Sequence, residues 1–181
     1  MSLQFEPMSL EKQADYLKLL ACCPQVASDY SFSNLWGWAE EYGLSWAWQD
    51  DCVWIRQSRP EVLYWAPVGP WFDIDWSARL VEGPPGPTVF IRIPDKLVEH
   101  WQPRFKDQAT FEEERGHWDY VYAVSDLINL KGNRFHKKKN LLNQFVKKST
   151  YTYVPLEPHL IGQAMAMQDD WCTWRDCESF D

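Results

Sequence analysis

The chain has 181 residues, enough for one full domain or for one domain and the start of another. Twelve Trp, nine Phe and eight Tyr exclude a disordered chain, and a formal charge of -8 argues against indiscriminate nucleic-acid binding. No apolar run approaches the roughly 20 residues that cross a bilayer, and the mixed, acid-bearing start from Met1 to Gln13 is unlike a signal peptide.

The five cysteines, Cys22, Cys23, Cys52, Cys172 and Cys177, form no CxxC pair and are odd in number. They read as free thiols in a reducing compartment, which points to the cytoplasm, with no disulfide, metal site or nucleophilic cysteine.

In chain order, Leu10, Ala14, Leu17 and Leu20 form a helical stripe over 9–20 with Ser9 as N-cap. Ser33 caps a second helix over 34–42, ended by Gly43. Residues 44–48 and 52–57 flank Asp50-Asp51 as a hairpin, and 62–66 is a third strand. Residues 73–81 are helical, with Asp73 and Asp75 at the start, until the Gly-Pro-rich loop at 82–87. A strand over 88–93 and a helix opened by Pro94 and running to about Trp101 come next. Two further strands fall at 111–114 and 118–124, and a short helical segment at 125–130 closes at Lys131-Gly132. A stronger helix over 134–148, a strand over 151–155 and a long helix over 159–178 complete the chain. The alternation predicts a mixed α/β layer architecture. Nucleotide-loop, zincin and hydrolase motifs (GxGxxG, GxxxxGK[ST], HExxH, GxSxG) are absent from the sequence.

Charge is unevenly distributed. Lys131, Arg134, Lys137, Lys138, Lys139, Lys147 and Lys148 occur between positions 131 and 148 with no acid among them, so the remainder is distinctly acidic. Arg134, Lys137, Lys138 and Lys147 should avoid the face of Phe135, Leu142 and Phe145 and point outward. His136 and Asn140 stand at i and i+4 and share a face, where His136 has the proton affinity of a general acid or base. The run reads either as a site for an anionic small molecule, a tRNA acceptor end or a lipid head group, or as a solvated helix face. Lys131, Arg134, His136, Lys137, Lys138, Lys139 and Asn140 are the candidate anion-binding residues. Tyr30, Asn34 and Trp36, in an aromatic cluster, could line an acceptor pocket or belong to the core. No catalytic residue is assigned.

Two segments carry a family resemblance. One is Ser28-Asp29-Tyr30-Ser31-Phe32-Ser33-Asn34-Leu35-Trp36-Gly37-Trp38 with Glu41-Tyr42-Gly43. The other is Asp119-Tyr120-Val121-Tyr122, then the run from Asp126 to Asn140 containing Lys131-Gly132 and His136-Lys137-Lys138-Lys139-Asn140, then Asn143-Gln144-Phe145. Together they resemble the phosphatidylglycerol lysyltransferase C-terminal-domain family, bacterial proteins related to the catalytic domain of that enzyme. The resemblance implies modules of the GCN5-related N-acetyltransferase (GNAT) type in tandem, hence a mostly antiparallel mixed sheet flanked by helices. It divides the chain into an N-terminal GNAT-like module at 1–130, a basic connecting helix at 131–150, and the start of a second module, cut short, at 151–181. The rest of that module is expected to pack on 151–181. The resemblance also implies acyl- or aminoacyl-transfer, with acyl-CoA or aminoacyl-tRNA serving the full-length protein. No cofactor is expected in this portion, which should be inactive by itself because it lacks an RxxGxG-like pyrophosphate loop. Lys139 departs from the family's expected Arg, keeping the charge but losing the bidentate fork.

Overall fold

A computed structural model describes residues 3–49, 51–81 and 88–175. The chain forms two compact units, Met1–Tyr120 and Val121–Asp181.

The first unit is built on a five-stranded sheet in the order β1 (Glu6–Pro7), β2 (Ser45–Gln49), β3 (Cys52–Gln57), β4 (Leu63–Trp65) and β5 (Phe90–Ile91). All neighbours pair antiparallel except β4 and β5, which are parallel. That pair needs a crossover, and the chain between them supplies α3 (Trp76–Val81). The fold is thus mixed α/β with an open, mostly antiparallel sheet.

Register shows which helices cover which face. Trp46 lies opposite Ile55 and Trp48 opposite Val53, so these four side chains share one face. Tyr16 of α1 (Gln13–Ala21) and Phe32 of α2 (Phe32–Gly37) pack on Trp46, with ring centroids 5.9 and 6.1 Å apart for Tyr16–Trp46 and Tyr16–Phe32. Ala47 and Trp54 share the opposite face, where Trp54 meets Trp76 of α3 edge-on at 6.1 Å. Trp76 in turn meets Trp101 of α4 (Asp95–Phe105) at 5.2 Å. The central strand is therefore covered on both sides, and Cys52, Val53, Trp54 and Ile55 have no exposed surface. Each buried Trp removes roughly 150–250 Å² from water, so these tryptophans dominate the stability of the unit.

Several boundaries differ from the sequence reading. Ser9 makes no side-chain cap bond and a 3-10 turn precedes α1. Its core face is Tyr16 with Leu19 and Leu20, while Leu10 and Leu17 are about half exposed. Ser31 rather than Ser33 caps α2, its hydroxyl accepting from the Asn34 N–H at 3.3 Å. The helix ends at Gly37, and turns carry the chain to Gly43 at φ 57, where an L side chain is disfavoured. Asp75 caps α3, accepting from the Ser77 N–H at 3.1 Å, so the helix starts at Trp76 and not at Asp73. The Gly-Pro segment at 82–87 lies outside the described residues. Helix α4 runs a turn beyond Trp101, to Phe105, with Pro103 inside it. The strands expected at 111–114 and 118–124 do not form among the described residues; a 3-10 turn at Arg115–His117 lies between the two segments.

The second unit contains α5 (Val124–Asn129), α6 (His136–Lys148) and α7 (Ile161–Arg175). Leu130 at φ 46 ends α5, and a 3-10 turn at Asn133–Phe135 precedes α6. The strand expected at 151–155 does not form among the described residues. Residues 176–178 of the long C-terminal helix lie outside the described residues.

A candidate anion-binding face on helix α6

The approach to α6 is set by two backbone features. The Leu130 N–H closes α5 onto the Asp126 carbonyl at 2.8 Å, and Gly132 at φ 89 turns the chain into the next helix. Phe135 is buried at 3% exposure and anchors the start of α6, while every residue from His136 to Lys148 is exposed.

At 100° per residue the helix sorts the candidate residues into three sets. His136, Lys139 and Asn140 fall on one stripe, and Asn143 and Lys147 continue it at i+3 and i+4 spacings. Lys137 and Lys148 flank that stripe. Lys138 lies in line with Leu142 and Phe145 at i+4 and i+7, so it belongs to the apolar side, contrary to the expectation that it avoids it. Leu141, Leu142, Phe145 and Val146 on that side are 48–65% exposed.

Arg134 is not a free cation. Its guanidinium bonds the Asp126 carboxylate at 2.6 Å and lies over the Phe135 ring at 4.8 Å. Among the described residues, Lys131, Lys137, Lys138, Lys139, Lys147 and Lys148 form no ion pair. They leave an uncompensated positive field along the helix, which can hold phosphate oxygens by charge and by hydrogen bonds from ammonium groups, with Asn140 and Asn143 as neutral donors on the same stripe. Asn143 and Lys147 are the residues that reasoning by residue type left out of the candidate set; the 3.6-residue period carried to a third turn finds them.

The aromatic candidates are dispersed. Tyr30 is buried: its hydroxyl donates to the Arg92 carbonyl at 2.8 Å and accepts from the Ala66 N–H at 2.9 Å. Burial raises its phenol above the ordinary range. Asn34 donates its side-chain amide to the Ser28 carbonyl at 2.8 Å. Trp36 is 43% exposed, stacks on Phe32 and lines a shallow apolar depression of about 400 Å³ with Pro7, Met8, Ala39 and Leu44. Neither Tyr30 nor Asn34 lines that depression.

Among the described residues no group of three His, Cys, Asp or Glu side chains is placed to hold a metal ion, and no helix is long and apolar enough to cross a membrane.

A mixed α/β unit with an open, mostly antiparallel sheet, followed by helices that carry a basic stripe, is the class that the fold defines. The family model described as phosphatidylglycerol lysyltransferase, C-terminal, matches residues 21–179, and the chain belongs to that family. Among solved structures it is similar to a conserved protein of unknown function from Bacteroides thetaiotaomicron VPI-5482. The two are 23% identical with a TM-score of 0.77, over 99% of this chain and 62% of that one. The likeness is one of fold, and the chain spans about 62% of that protein's length. No curated protein matches the sequence.

Proposed function

We propose that the chain is part of an acyl- or aminoacyl-transferase of the GNAT superfamily, and that α6 supplies it with an edge for a phosphate-bearing ligand. The observation that carries this reading is the six lysines, without an ion pair among the described residues, in a stretch of chain without a single acid. Family membership supports the transferase part. The ligand is the phosphate portion of an acyl-CoA or of a tRNA acceptor end, or a lipid head group. The chemistry required of the whole protein is to position an amine or hydroxyl against a thioester or ester and to stabilise the oxyanion. In this reading the 181-residue chain is inactive alone, and it works in the cytoplasm. Residues 1–130 serve as an N-terminal GNAT-like module, 131–150 as the basic connector, and 151–181 as the opening of a second module.

The second module would cover α7, whose apolar and polar residues are not segregated to separate faces and which leaves Met165, Met167, Trp171 and Trp174 48–77% exposed. It would also pair the segment at 151–155. A non-catalytic module of the same fold that recognises an anion is the second reading. It is favoured by His136, which is exposed and has no hydrogen-bond partner among the described residues to make it a base.

Thermal shift against coenzyme A, acetyl-coenzyme A and a short acceptor-stem RNA tests the site. A ligand at 100 times its dissociation constant stabilises by about 2.7 kcal/mol. The shift should be lost when Lys137, Lys138 and Lys139 are changed to Ala. A shift that survives the triple change, or none with any ligand, removes the anion site; acyl transfer by the chain alone refutes its inactivity.

A further inference from the structure

Three consecutive residues of the 3-10 turn Ser28–Tyr30 hold three separate parts of the first unit. Ser28 binds the Asp119 carboxylate through its backbone N–H at 2.8 Å and its hydroxyl at 2.5 Å. Asp29 pairs with the Arg92 guanidinium at 2.5 Å. Tyr30 bonds Ala66 and Arg92 through its hydroxyl, and its carbonyl accepts from the buried Tyr16 hydroxyl at 2.7 Å.

The position of the phenol gives the turn its meaning. β4 and β5 pair at Tyr64–Phe90 and Trp65–Ile91, so a further rung would join Ala66 to Arg92. At that rung the Tyr30 oxygen stands between the Ala66 N–H and the Arg92 carbonyl, and the strand ends are held apart by one hydroxyl. Arg92 then leaves β5 at φ 55, a conformation that a residue with a Cβ adopts only when its surroundings enforce it. Its guanidinium lies over the Trp65 ring at 4.5 Å, back toward Asp29. Asp119 is next to the last residue of the unit and, unlike Tyr30 and Arg92, is exposed. Backbone donor and acceptor at the carboxyl ends of a parallel pair are thereby occupied by this chain's own side chain.

We propose that residues 28–30 are a latch that keeps the gap between the ends of β4 and β5 filled, with Asp119 as its releasable pin. Withdrawing the carboxylate loosens the turn, and the turn carries Tyr30 out of its place between Ala66 and Arg92. The latch is independent of whether α6 binds an anion.

Amide hydrogen exchange of the full chain reads it directly, because the Ala66 N–H is held by Tyr30 alone while the Val53 N–H is held by backbone. Asp119→Ala and Ser28→Ala, both at exposed positions, should each speed Ala66 exchange by roughly threefold to tenfold and leave Val53 unchanged. The double variant should do no more than Asp119→Ala alone, since Ser28→Ala leaves the backbone N–H of residue 28 on Asp119. Loosening confined to 117–120 would make Asp119 a tether for its own loop only and overturn the latch. So would equal acceleration at Ala66 and Val53, or additive effects of the two changes.

Discussion

If the stripe of His136, Lys139, Asn140, Asn143 and Lys147 is what meets the anion, lysines on the same helix must differ in effect according to direction. Changing Lys139 and Lys147 together to Ala should weaken binding of coenzyme A or an acceptor-stem RNA by roughly 25-fold, whereas Lys138→Ala should change it less than about twofold. The first figure comes from a charge pair about 4 Å apart in water, worth about 1 kcal/mol or roughly fivefold, taken twice. The exposure of the whole helix licenses the aqueous value. At 0.15 M salt the screening length is about 8 Å, so lysines that do not touch the ligand contribute little. Titration calorimetry of the full chain at 50 and 200 mM salt measures both variants. The double variant should also show the shallower salt dependence, having lost two contacts. If Lys138→Ala weakens binding as much as Lys139→Ala, the helix acts as a diffuse cloud of charge and the directional argument fails.

Gly69→Ala should lower the urea midpoint without changing the slope, by about 1–3 kcal/mol, because a Cβ at Gly69 would lie 2.4 Å from the Asp51 carbonyl oxygen. His100 is held below its usual pKa by burial and then by the Arg104 cation, so the unfolded chain binds more protons there than the folded one. Stability from this group is therefore present above the unfolded value of about 6.5 and is lost as pH falls through that value toward the lowered one. Urea melts of His100→Asn should accordingly show a flatter acid limb than the parent, and an identical limb refutes the assignment. Burial raises the Cys23 thiol to about 11, despite the Gly69 N–H on its sulfur, and the Cys52 thiol to about 12, whereas Cys22 is exposed. Iodoacetamide at pH 8 should label Cys22 well before Cys23 or Cys52 by peptide mass spectrometry; early labelling of Cys52 would contradict its burial.

The hairpin of β2 and β3 was legible in the sequence because two short β-rich runs flank the turn residues Asp50-Asp51. The end of α2 was not: the helix expected to run to Gly43 stops at Gly37, and turns cover the rest. The strands expected at 111–114, 118–124 and 151–155 were legible only as propensity. A strand needs a neighbour's backbone, and these segments pair with none among the described residues. The cap of α2 was misplaced by two residues because Ser31 and Ser33 are equally good caps by type, and Phe32 and Leu35 settle the matter by packing inward. The two segments that carried the family resemblance proved to be in contact: Ser28 from the first bonds Asp119 from the second, 91 residues away. No period or propensity encodes such a pair. The candidate site was readable as charge but not as direction, since Lys138 and Lys139 are neighbours in sequence and lie about 100° apart on the helix.

That difference in direction also separates the anion face from whatever covers the rest of the second unit. Phe135 is the one large apolar side chain buried there among the described residues, while Leu141, Leu142, Phe145 and Val146 of α6 stand at least 48% exposed. Four apolar side chains on one stripe, each worth roughly 1.5–3 kcal/mol on full burial, will be covered in any stable assembly. The cover must approach from the side of Lys138, because that is where the stripe points. His136, Asn140, Asn143 and Lys147 lie across the helix axis from it, whereas Lys139 borders it, in line with Val146 at i+7. Lys138 would be crowded by the same approach, its stem packing beside Leu142 and its ammonium reaching outward. A cover on the apolar stripe should therefore protect Lys138 from acetylation by a water-soluble reagent and leave Lys147 reactive. Equal protection of Lys138 and Lys147 would mean that the cover wraps the helix, and the basic face would then be part of an interface instead of a free anion site.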